Sequence, residues 1–144
     1  MSKIAVVYWS GTGNTEQMAK AVQEGAKKAG GEASLFEVEQ FGVEDMASFD
    51  GFAFGCPAMG DEVLEESVFE PFFAEAETKL KDVPVALFGS YGWGGGAWME
   101  AWAERTKKAG AKLFSDGLAI ENAPDDEGIA DCKKLGEEFA KSLA

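Results

Sequence analysis

The sequence predicts an α/β fold, with a doubly wound, five-stranded parallel sheet and helices on both of its faces. Two observations support this prediction. Runs rich in β-branched and aromatic residues alternate with helical patterns along the 144 residues, with short connections between them. The runs 4–9 and 85–88 are apolar at consecutive positions, as in strands covered on both faces. Since one core suits a chain of this length, we expect a single domain over residues 1–144.

Strands and helices are expected to follow one another in a regular order. Strands are predicted over residues 3–9, 33–38, 50–56, 83–89 and 112–120. Helices are predicted over residues 15–29, 70–80, 97–109 and 127–142, with a weaker one over 43–48. We expect Gly30 and Gly31 to end the first helix, whereas Pro71 fits the start of one.

Apolar positions at helical spacing predict which side chains are buried. The first helix is expected to bury Met18, Val22 and Ala26, and Trp98 and Trp102 are expected to pack against the sheet. The last helix carries an apolar stripe formed by Ile129, Cys132, Leu135, Phe139 and Leu143. Cys132 is therefore read as a core thiol. The only other cysteine is Cys56, and the two do not form a metal-spaced pair, so no metal site is expected.

Acidic residues dominate the charge of the chain. Lys and Arg total 13 and Asp and Glu total 26, which gives a net charge of −13. Such a surface makes nucleic acid and anionic membranes poor partners and attracts positively charged protein faces. Histidine is absent, which weakens a hydrolase interpretation. Because no apolar run reaches membrane-spanning length and no secretory signal is seen, we expect a cytoplasmic location.

The segment Ser10-Gly11-Thr12-Gly13-Asn14-Thr15 lies between the first predicted strand and the first predicted helix. A tight loop at a helix start directs backbone N–H groups and the positive end of the helix dipole at one point. The loop holds hydroxyl and amide side chains but no Lys or Arg. This composition predicts a site for a phosphate monoester that is held by hydrogen bonds. The alternative is an ordinary connection in which these side chains only cap the helix.

Three other phosphate sites do not fit this segment. A P-loop needs a Gly-Lys-Ser/Thr ending, and no Gly here precedes Lys. The dinucleotide fingerprint needs Gly or Ala at the position of Glu16. A phosphoacceptor of the response-regulator type needs acids at the strand ends, and residues 8–10 offer none. A mononucleotide-type phosphate is therefore favoured over a pyrophosphate.

Two later loops share the same predicted edge of the sheet. Residues 57–62 follow the third strand and residues 90–95 follow the fourth, and the strand order 2-1-3-4-5 would make both neighbours of the first loop. Met59 and Trp93 occupy these glycine-containing loops, where they could cover the two faces of a flat ligand. The alternative is that both side chains cap the core.

Together, residues 10–15, 56–62 and 90–95 closely resemble a flavodoxin of the short-chain kind from anaerobic bacteria. The resemblance covers the whole chain, including segments 65–67 and 70–72, and no long insertion interrupts residues 112–120. It implies a flavodoxin-like fold and a non-covalently bound FMN, which such folds hold at the point where the strand order reverses.

The resemblance implies a role for each loop. Residues 10–15 would bind the phosphate, and Met59 and Trp93 would flank the isoalloxazine. Glu62 would accept a hydrogen bond from the pyrimidine N–H, the backbone around Gly92 would meet the pyrimidine oxygens, and Asn122 would touch the ribityl chain. The full predicted cofactor site is Trp9, Ser10, Gly11, Thr12, Gly13, Asn14, Thr15, Pro57, Ala58, Met59, Gly60, Asp61, Glu62, Ser90, Tyr91, Gly92, Trp93, Gly94 and Asn122.

The function implied is that of a low-potential, one-electron carrier that cycles mainly between semiquinone and hydroquinone. Gly60 can turn its peptide at low cost, so its carbonyl could accept the N–H that the neutral semiquinone gains. Apolar walls, the bound phosphate and the acids Asp61 and Glu62 would disfavour the anionic hydroquinone and lower the second potential. A solvated acidic turn is the alternative for Asp61.

Two enzyme interpretations compete with the carrier. An FMN-dependent NAD(P)H or quinone reductase would need room above the flavin, where Met59 and Trp93 are expected to lie. A low-molecular-weight phosphatase with Cys56 as its nucleophile would need Arg at position 62, where this chain has Glu62. We therefore expect no substrate turnover and no catalytic residues.

The expected partners are redox proteins with basic docking faces, such as oxidoreductases that otherwise use ferredoxin. Acids near the exposed flavin edge are expected to attract them, namely Asp61, Glu62, Glu65 and Glu66, with Glu100 close behind. The chain itself is expected to be a monomer.

Overall fold

A parallel sheet forms the centre of the computed structural model, which describes residues 2–59, 63–92 and 96–143. Its strands are β1 (Lys3–Tyr8), β2 (Glu32–Glu37), β3 (Gly51–Gly55), β4 (Pro84–Tyr91), β5 (Lys112–Leu113) and β6 (Leu118–Glu121). The α-helices are α1 (Asn14–Lys28), α2 (Phe69–Ala76), α3 (Ala97–Lys108) and α4 (Asp126–Ser142). Short 3₁₀ helices occupy Val38–Gln40, Val43–Ser48 and Glu77–Lys79.

The strands are hydrogen-bonded in the order β2-β1-β3-β4-β5, and every pair is parallel. The predicted strand order and fold class are confirmed. β6 also pairs with β4, further along the same edge, so that Leu118 lies opposite Phe88 and Glu121 opposite Tyr91. The carboxyl ends of β1, β3, β4 and β6 thus meet at one edge of the sheet.

The prediction of one continuous strand over residues 112–120 was wrong. β5 ends at Leu113, and β6 begins only at Leu118. Between them Ser115 and Gly117 have φ angles of 61° and 97°. This left-handed backbone cannot continue a β ladder, so the edge strand is split into two short pieces.

Two helices predicted from the sequence also end or wind differently. The predicted helix over 70–80 is α-helical only as far as Ala76 and continues as the 3₁₀ turn Glu77–Lys79. The weak helix over 43–48 is a 3₁₀ helix. The first helix ends at Lys28, and Gly30 follows it with a φ of 92°, as the stop signal predicted.

Alternate residues of each central strand point to opposite faces of the sheet, where two apolar clusters form. In β1, Ala5 and Val7 belong to the cluster beneath α2 and α3, whereas Ile4 and Val6 belong to the cluster beneath α1 and α4. The side chains predicted to be buried in the helices lie in these clusters: Met18, Val22, Ala26, Trp98, Trp102, Cys132, Leu135 and Phe139, with Ile129 and Leu143 partly buried against them.

The helices α1 and α4 approach each other at two glycines. A Cβ atom at Gly136 would lie 2.0 Å from the Val22 carbonyl oxygen, and one at Gly25 would lie 1.9 Å from the Lys133 carbonyl oxygen. Neither position can hold a side chain unless the two backbones move apart. The contact therefore fixes α1, whose N-terminus opens at the carboxyl edge of the sheet.

On the opposite face, the single arginine of the chain ties α2 to α3. Arg105 makes two hydrogen bonds of 2.7 Å to the Glu70 carboxylate and bonds of 2.9 and 3.0 Å to that of Glu77. Its guanidinium carbon lies 4.9 Å from the centre of the Phe73 ring. The hydrogen bonds that Arg105 donates to the Glu70 carboxylate raise the pKa of Arg105 above its usual value, against the effect of burial. The C-terminal part of α3 is thereby tied to α2 and to the 3₁₀ turn that follows it.

Within the described ranges, no helix is both long and apolar enough to cross a membrane. Among the same residues, no three His, Cys, Asp or Glu side chains are grouped so that they could hold a metal ion.

Candidate cofactor site

The Ser10 side chain holds the loop after β1 in a tight turn. The Ser10 Oγ accepts hydrogen bonds from the backbone N–H of Gly13, at 3.1 Å, and of Glu16, at 3.2 Å. Gly13 is the N-cap of α1 and has a φ of 96°, which only glycine adopts without strain. Ser10 thus accepts hydrogen bonds at the start of α1, and because its hydroxyl proton can still be donated to a ligand, its predicted role in phosphate binding stays a prediction.

Other donors at the start of α1 have no partner within the helix. In the first turn of a helix the N–H groups have no intrahelical acceptor, and Asn14 and Thr15 are the first two helical residues. The side chains of Thr12 and Asn14 border the adjoining cavity. Backbone N–H groups, a hydroxyl and an amide therefore surround one point at the positive end of α1, where an anion is stabilised.

A buried hydrogen bond joins this first loop to the third. The Thr15 Oγ1 and the Ser90 Oγ are 3.0 Å apart, and Thr15 is only 1% exposed. Because Ser90 lies near the end of β4, this bond fixes the start of α1 against the neighbouring strand. Thr15 supports the cavity from behind and does not line it.

A cavity of about 250 Å³ opens at the carboxyl edge of the sheet. Every described residue that lines it belongs to the predicted site: Trp9, Gly11, Thr12, Asn14, Pro57, Ala58, Met59, Ser90, Tyr91, Gly92 and Asn122. Three loops thus converge, as the strand order predicts. Among the predicted site residues that the structure describes, three do not line the cavity: Ser10, Gly13 and Thr15.

Asn122 reaches the cavity through the pairing of β6 with β4. Its backbone N–H donates to the Tyr91 carbonyl at 2.7 Å, and its φ of 60° turns the chain away from the sheet. The side-chain Oδ1 of Asn122 lies 3.9 Å from the point where a Cβ of Gly92 would be. The predicted position at the site is therefore observed, whereas its contact with a ribityl chain stays a prediction.

The second loop begins and ends with paired backbone. Met59 and Val63 exchange N–H···O=C bonds of 2.8 and 3.1 Å, and the Ala58 N–H donates to the Ser90 carbonyl at 2.9 Å. The Met59 side chain is 37% exposed at the rim of the cavity. This exposure favours a ligand-covering role for Met59 over the core-capping alternative.

Five predicted site residues lie outside the described residues: Gly60, Asp61, Glu62, Trp93 and Gly94. Their roles in covering the flavin, in bonding to its pyrimidine ring and in turning a peptide stay predictions.

Glu65 does not belong to the exposed acidic group in which the sequence placed it. It is 6% exposed, and its carboxylate accepts the backbone N–H groups of Ser67 at 2.9 Å, Val68 at 2.8 Å and Phe69 at 2.9 Å, together with the Ser67 hydroxyl. Burial opposes ionisation, but these hydrogen bonds outweigh it and lower the pKa of the Glu65 carboxyl. Glu65 is a cap for the start of α2. An acid two residues before a serine and four before a helix start was the signal in the sequence.

The Cys56 thiol is unsuited to nucleophilic chemistry. It lies fully buried at the end of β3, and burial raises its pKa to about 12. At neutral pH it is therefore protonated, whereas nucleophilic cysteines react as thiolates. This protonation state agrees with rejecting the phosphatase alternative.

The comparisons with known proteins agree with the geometry. The sequence model of the family described as Flavodoxin matches residues 6–136. The flavodoxin of Megasphaera elsdenii is 50% identical over 139 residues, which cover 96% of this chain and 99% of that protein. The flavodoxin of Clostridium beijerinckii is 44% identical over 135 residues, covering 94% of this chain and 97% of that one.

The fold of this chain also matches that of a solved flavodoxin structure. The solution structure of two-electron reduced Megasphaera elsdenii flavodoxin superposes with a TM-score of 0.87, over 96% of this chain and 98% of the other. The family model, the relatives and the fold therefore all point to the same family. The chain belongs to the flavodoxin family and, like the flavodoxins that match it over nearly their whole length, is an FMN-binding electron carrier.

Proposed function

We propose that FMN binds in the cavity between the three loops, with its phosphate at residues 10–15 and its ring beside Met59, and that the chain passes single electrons between redox proteins. The observation that carries this proposal is the convergence of all three loops on one cavity at the N-terminus of α1. FMN supplies the redox chemistry when it is bound. The residues of the chain bind it, orient it and shield it.

The residues present fit FMN in kind. The phosphate would be held by backbone N–H groups at the start of α1, where Asn14 lines the cavity, and by the Thr12 hydroxyl, with no cation required. Trp9 and Tyr91 supply aromatic surface along the cavity, and Met59 supplies a polarisable side chain at its rim. Aromatic and apolar surface beside the polar groups of the first loop suits a ligand with a flat ring and a phosphate.

The charge of the chain supports a low potential. With a net charge of −13, the protein opposes any further negative charge in the cavity, and an electron held there is more readily given up. The reductase alternative is not favoured, because the two relatives at 44–50% identity, whose own length is covered almost completely, are flavodoxins.

We expect Thr12→Ala to weaken FMN binding by about 1–3 kcal/mol, since a charge-assisted hydrogen bond to the phosphate is lost. Riboflavin, which lacks the phosphate, should bind the variant and the parent protein equally. Fluorescence titration of the apoprotein measures both affinities.

The matched control is Thr78→Ala, since Thr78 is exposed and its hydroxyl bonds only to the Glu75 carbonyl among the described residues. FMN affinity should be unchanged by this substitution. If the parent protein bound riboflavin as tightly as FMN, the phosphate site would be disproved.

The partners we propose have basic docking faces. Of the predicted acidic group, Glu66 is exposed while Glu65 is buried, and the exposed Glu121 immediately precedes Asn122 at the cavity. Exposed charges act mainly within a Debye length, about 8 Å at physiological salt. Glu66 and Glu121 should therefore contribute more to partner attraction than acids at the far end of the sheet.

Electron transfer to a basic c-type cytochrome is expected to slow steeply as ionic strength rises, because screening removes this attraction. The double variant Glu66→Gln with Glu121→Gln should flatten the dependence. Stopped-flow rates over a salt series measure it. The control pair is Glu32→Gln with Glu138→Gln, two exposed acids at the start of β2 and near the end of α4. Equal effects from the two pairs would contradict local docking.

The single-domain organisation, the monomeric state and the cytoplasmic location stay predictions. Size-exclusion chromatography of the FMN-loaded protein tests the monomeric state. We expect one peak at the 15.3 kDa of the chain.

A further inference from the structure

Cys56, at the point where β3 leaves the sheet, holds three other segments by hydrogen bonds. Its N–H donates to the Phe88 carbonyl of β4 at 3.2 Å, and its carbonyl accepts the indole N–H of Trp98, in α3, at 3.2 Å. Its Sγ accepts the backbone N–H of Glu65, just before α2, at 3.4 Å. We name Cys56, Trp98 and Glu65 the Cys56 junction.

The junction lies directly beneath the cofactor cavity. The next three residues after Cys56 are Pro57, Ala58 and Met59, all of which line the cavity. Any movement of the Cys56 peptide would therefore be passed to the second loop.

Trp98 also supports the third loop. Its ring lies against that of Tyr91, with 5.5 Å between the ring centres and an angle of 48° between the planes. Tyr91 lines the cavity, whereas Trp98 itself is 2% exposed and stands behind it. One buried side chain thus bonds to the start of the second loop and packs against the start of the third.

The fit around the Cys56 carbonyl leaves little freedom. A Cβ at Gly89 would lie 2.1 Å from the Cys56 carbonyl oxygen and 3.1 Å from Cζ2 of Trp98. The strand β4, the carbonyl and the indole are therefore closely packed. If the indole N–H were removed, the buried Cys56 carbonyl would be left without a hydrogen-bond donor, which destabilises the structure unless the peptide shifts toward a new donor.

We propose that Trp98 is a positioning residue for the cofactor: its N–H fixes the second loop and its ring fixes the third, so that the two stay at the separation that the flavin requires. This inference rests on the proposed place of FMN in the cavity. Trp98 acts on FMN affinity and on the reduction potentials only through the residues that it holds.

Trp102 provides a matched control. It lies one turn further along α3, is also 2% exposed, and its indole N–H has no hydrogen-bond partner in the described part of the chain. Its ring packs edge-on against Phe69 and Phe73. Trp98→Phe and Trp102→Phe thus remove similar volumes from one apolar cluster, but only the first removes the bond to Cys56.

The experiment measures FMN affinity and both midpoint potentials of the full-length chain with FMN, and the thermal unfolding of the apoprotein. We expect similar losses of thermal stability in the two variants. Trp98→Phe should weaken FMN binding about tenfold and shift at least one midpoint potential. Trp102→Phe should leave the FMN affinity and both midpoint potentials near those of the parent protein. Equal FMN affinities and potentials in the two variants would overturn the proposal.

A second substitution keeps the test decisive if Trp98→Phe does not fold. Incorporation of β-(3-benzothienyl)alanine at position 98 preserves the shape of the ring and replaces only the N–H by sulfur. It should reproduce the loss of FMN affinity, and an unchanged affinity would overturn the role of the hydrogen bond. If Thr12→Ala left FMN affinity unchanged while Trp98→Phe lowered it, the placement of the phosphate would be wrong and the positioning role would stand.

Discussion

Glu65→Ala is expected to destabilise the protein by about 2–4 kcal/mol, because several donors at the start of α2 would lose their shared acceptor in a buried place. The carboxylate accepts the N–H groups of Ser67, Val68 and Phe69 and the Ser67 hydroxyl. Glu65→Gln should cost less, since one acceptor oxygen remains. Urea denaturation of the apoprotein at neutral pH measures both.

The lowered pKa of Glu65 also predicts a pH dependence. In the unfolded chain the carboxyl titrates at the usual value of about 4.3, whereas in the folded protein it stays ionised to lower pH. The contribution of Glu65 to stability is therefore fully present at a pH above the pKa of the carboxyl in the unfolded chain. It is lost as the pH falls through the pKa of the carboxyl in the folded protein. The parent protein should lose stability over this acidic range more steeply than Glu65→Gln.

The neighbouring acid is a matched control for this prediction. Glu66 adjoins Glu65 in the sequence and is exposed, so Glu66→Gln should leave both the stability at neutral pH and its acid dependence almost unchanged. Equal effects of Glu65→Gln and Glu66→Gln would show that the cap contributes nothing.

The contrast between these two acids shows what the sequence could not predict. Both are predicted to be surface charges, because hydrophobic periodicity does not show how deeply a loop residue is buried. The spacing of Glu65 from Ser67 and from the start of α2 is the one sequence signal of its capping role. Only the tertiary structure places Glu65 beneath the Cys56 Sγ and against the start of α2. The split of the edge strand, by contrast, did have a signal in the sequence, because Ser115-Asp116-Gly117 is a polar run with a turn-forming Asp-Gly pair inside the predicted strand.

Features that follow from hydrophobic pattern and strand order were predictable. The strand order 2-1-3-4-5 is enough to bring three loops to one edge, and Asn122 joins them because its strand pairs with β4. A hydroxyl in such a loop can bind a ligand, bond to the start of the helix, or do both, and the sequence did not predict that the Ser10 Oγ accepts the N–H groups of Gly13 and Glu16.

The contact between α1 and α4 predicts that Gly136→Ala will destabilise the protein by about 2–3 kcal/mol, although alanine is the better helix former. The added Cβ would lie 2.0 Å from the Val22 carbonyl oxygen, which belongs to backbone and cannot rotate away. α1 and α4 would have to separate. Because α1 carries the N-terminal donors of the first loop, we expect FMN affinity to fall while riboflavin affinity falls less.

Gly128→Ala is the control for this substitution, since Gly128 lies in the first turn of the same helix. A Cβ there would be 3.2 Å from Cδ1 of Ile120, the mobile end of a side chain, so the gain in helix propensity should offset the contact. Denaturant unfolding and FMN titration of both variants measure the difference. If Gly136→Ala were as stable as Gly128→Ala, the close approach of the two helices would not be what holds the phosphate end of α1 in place.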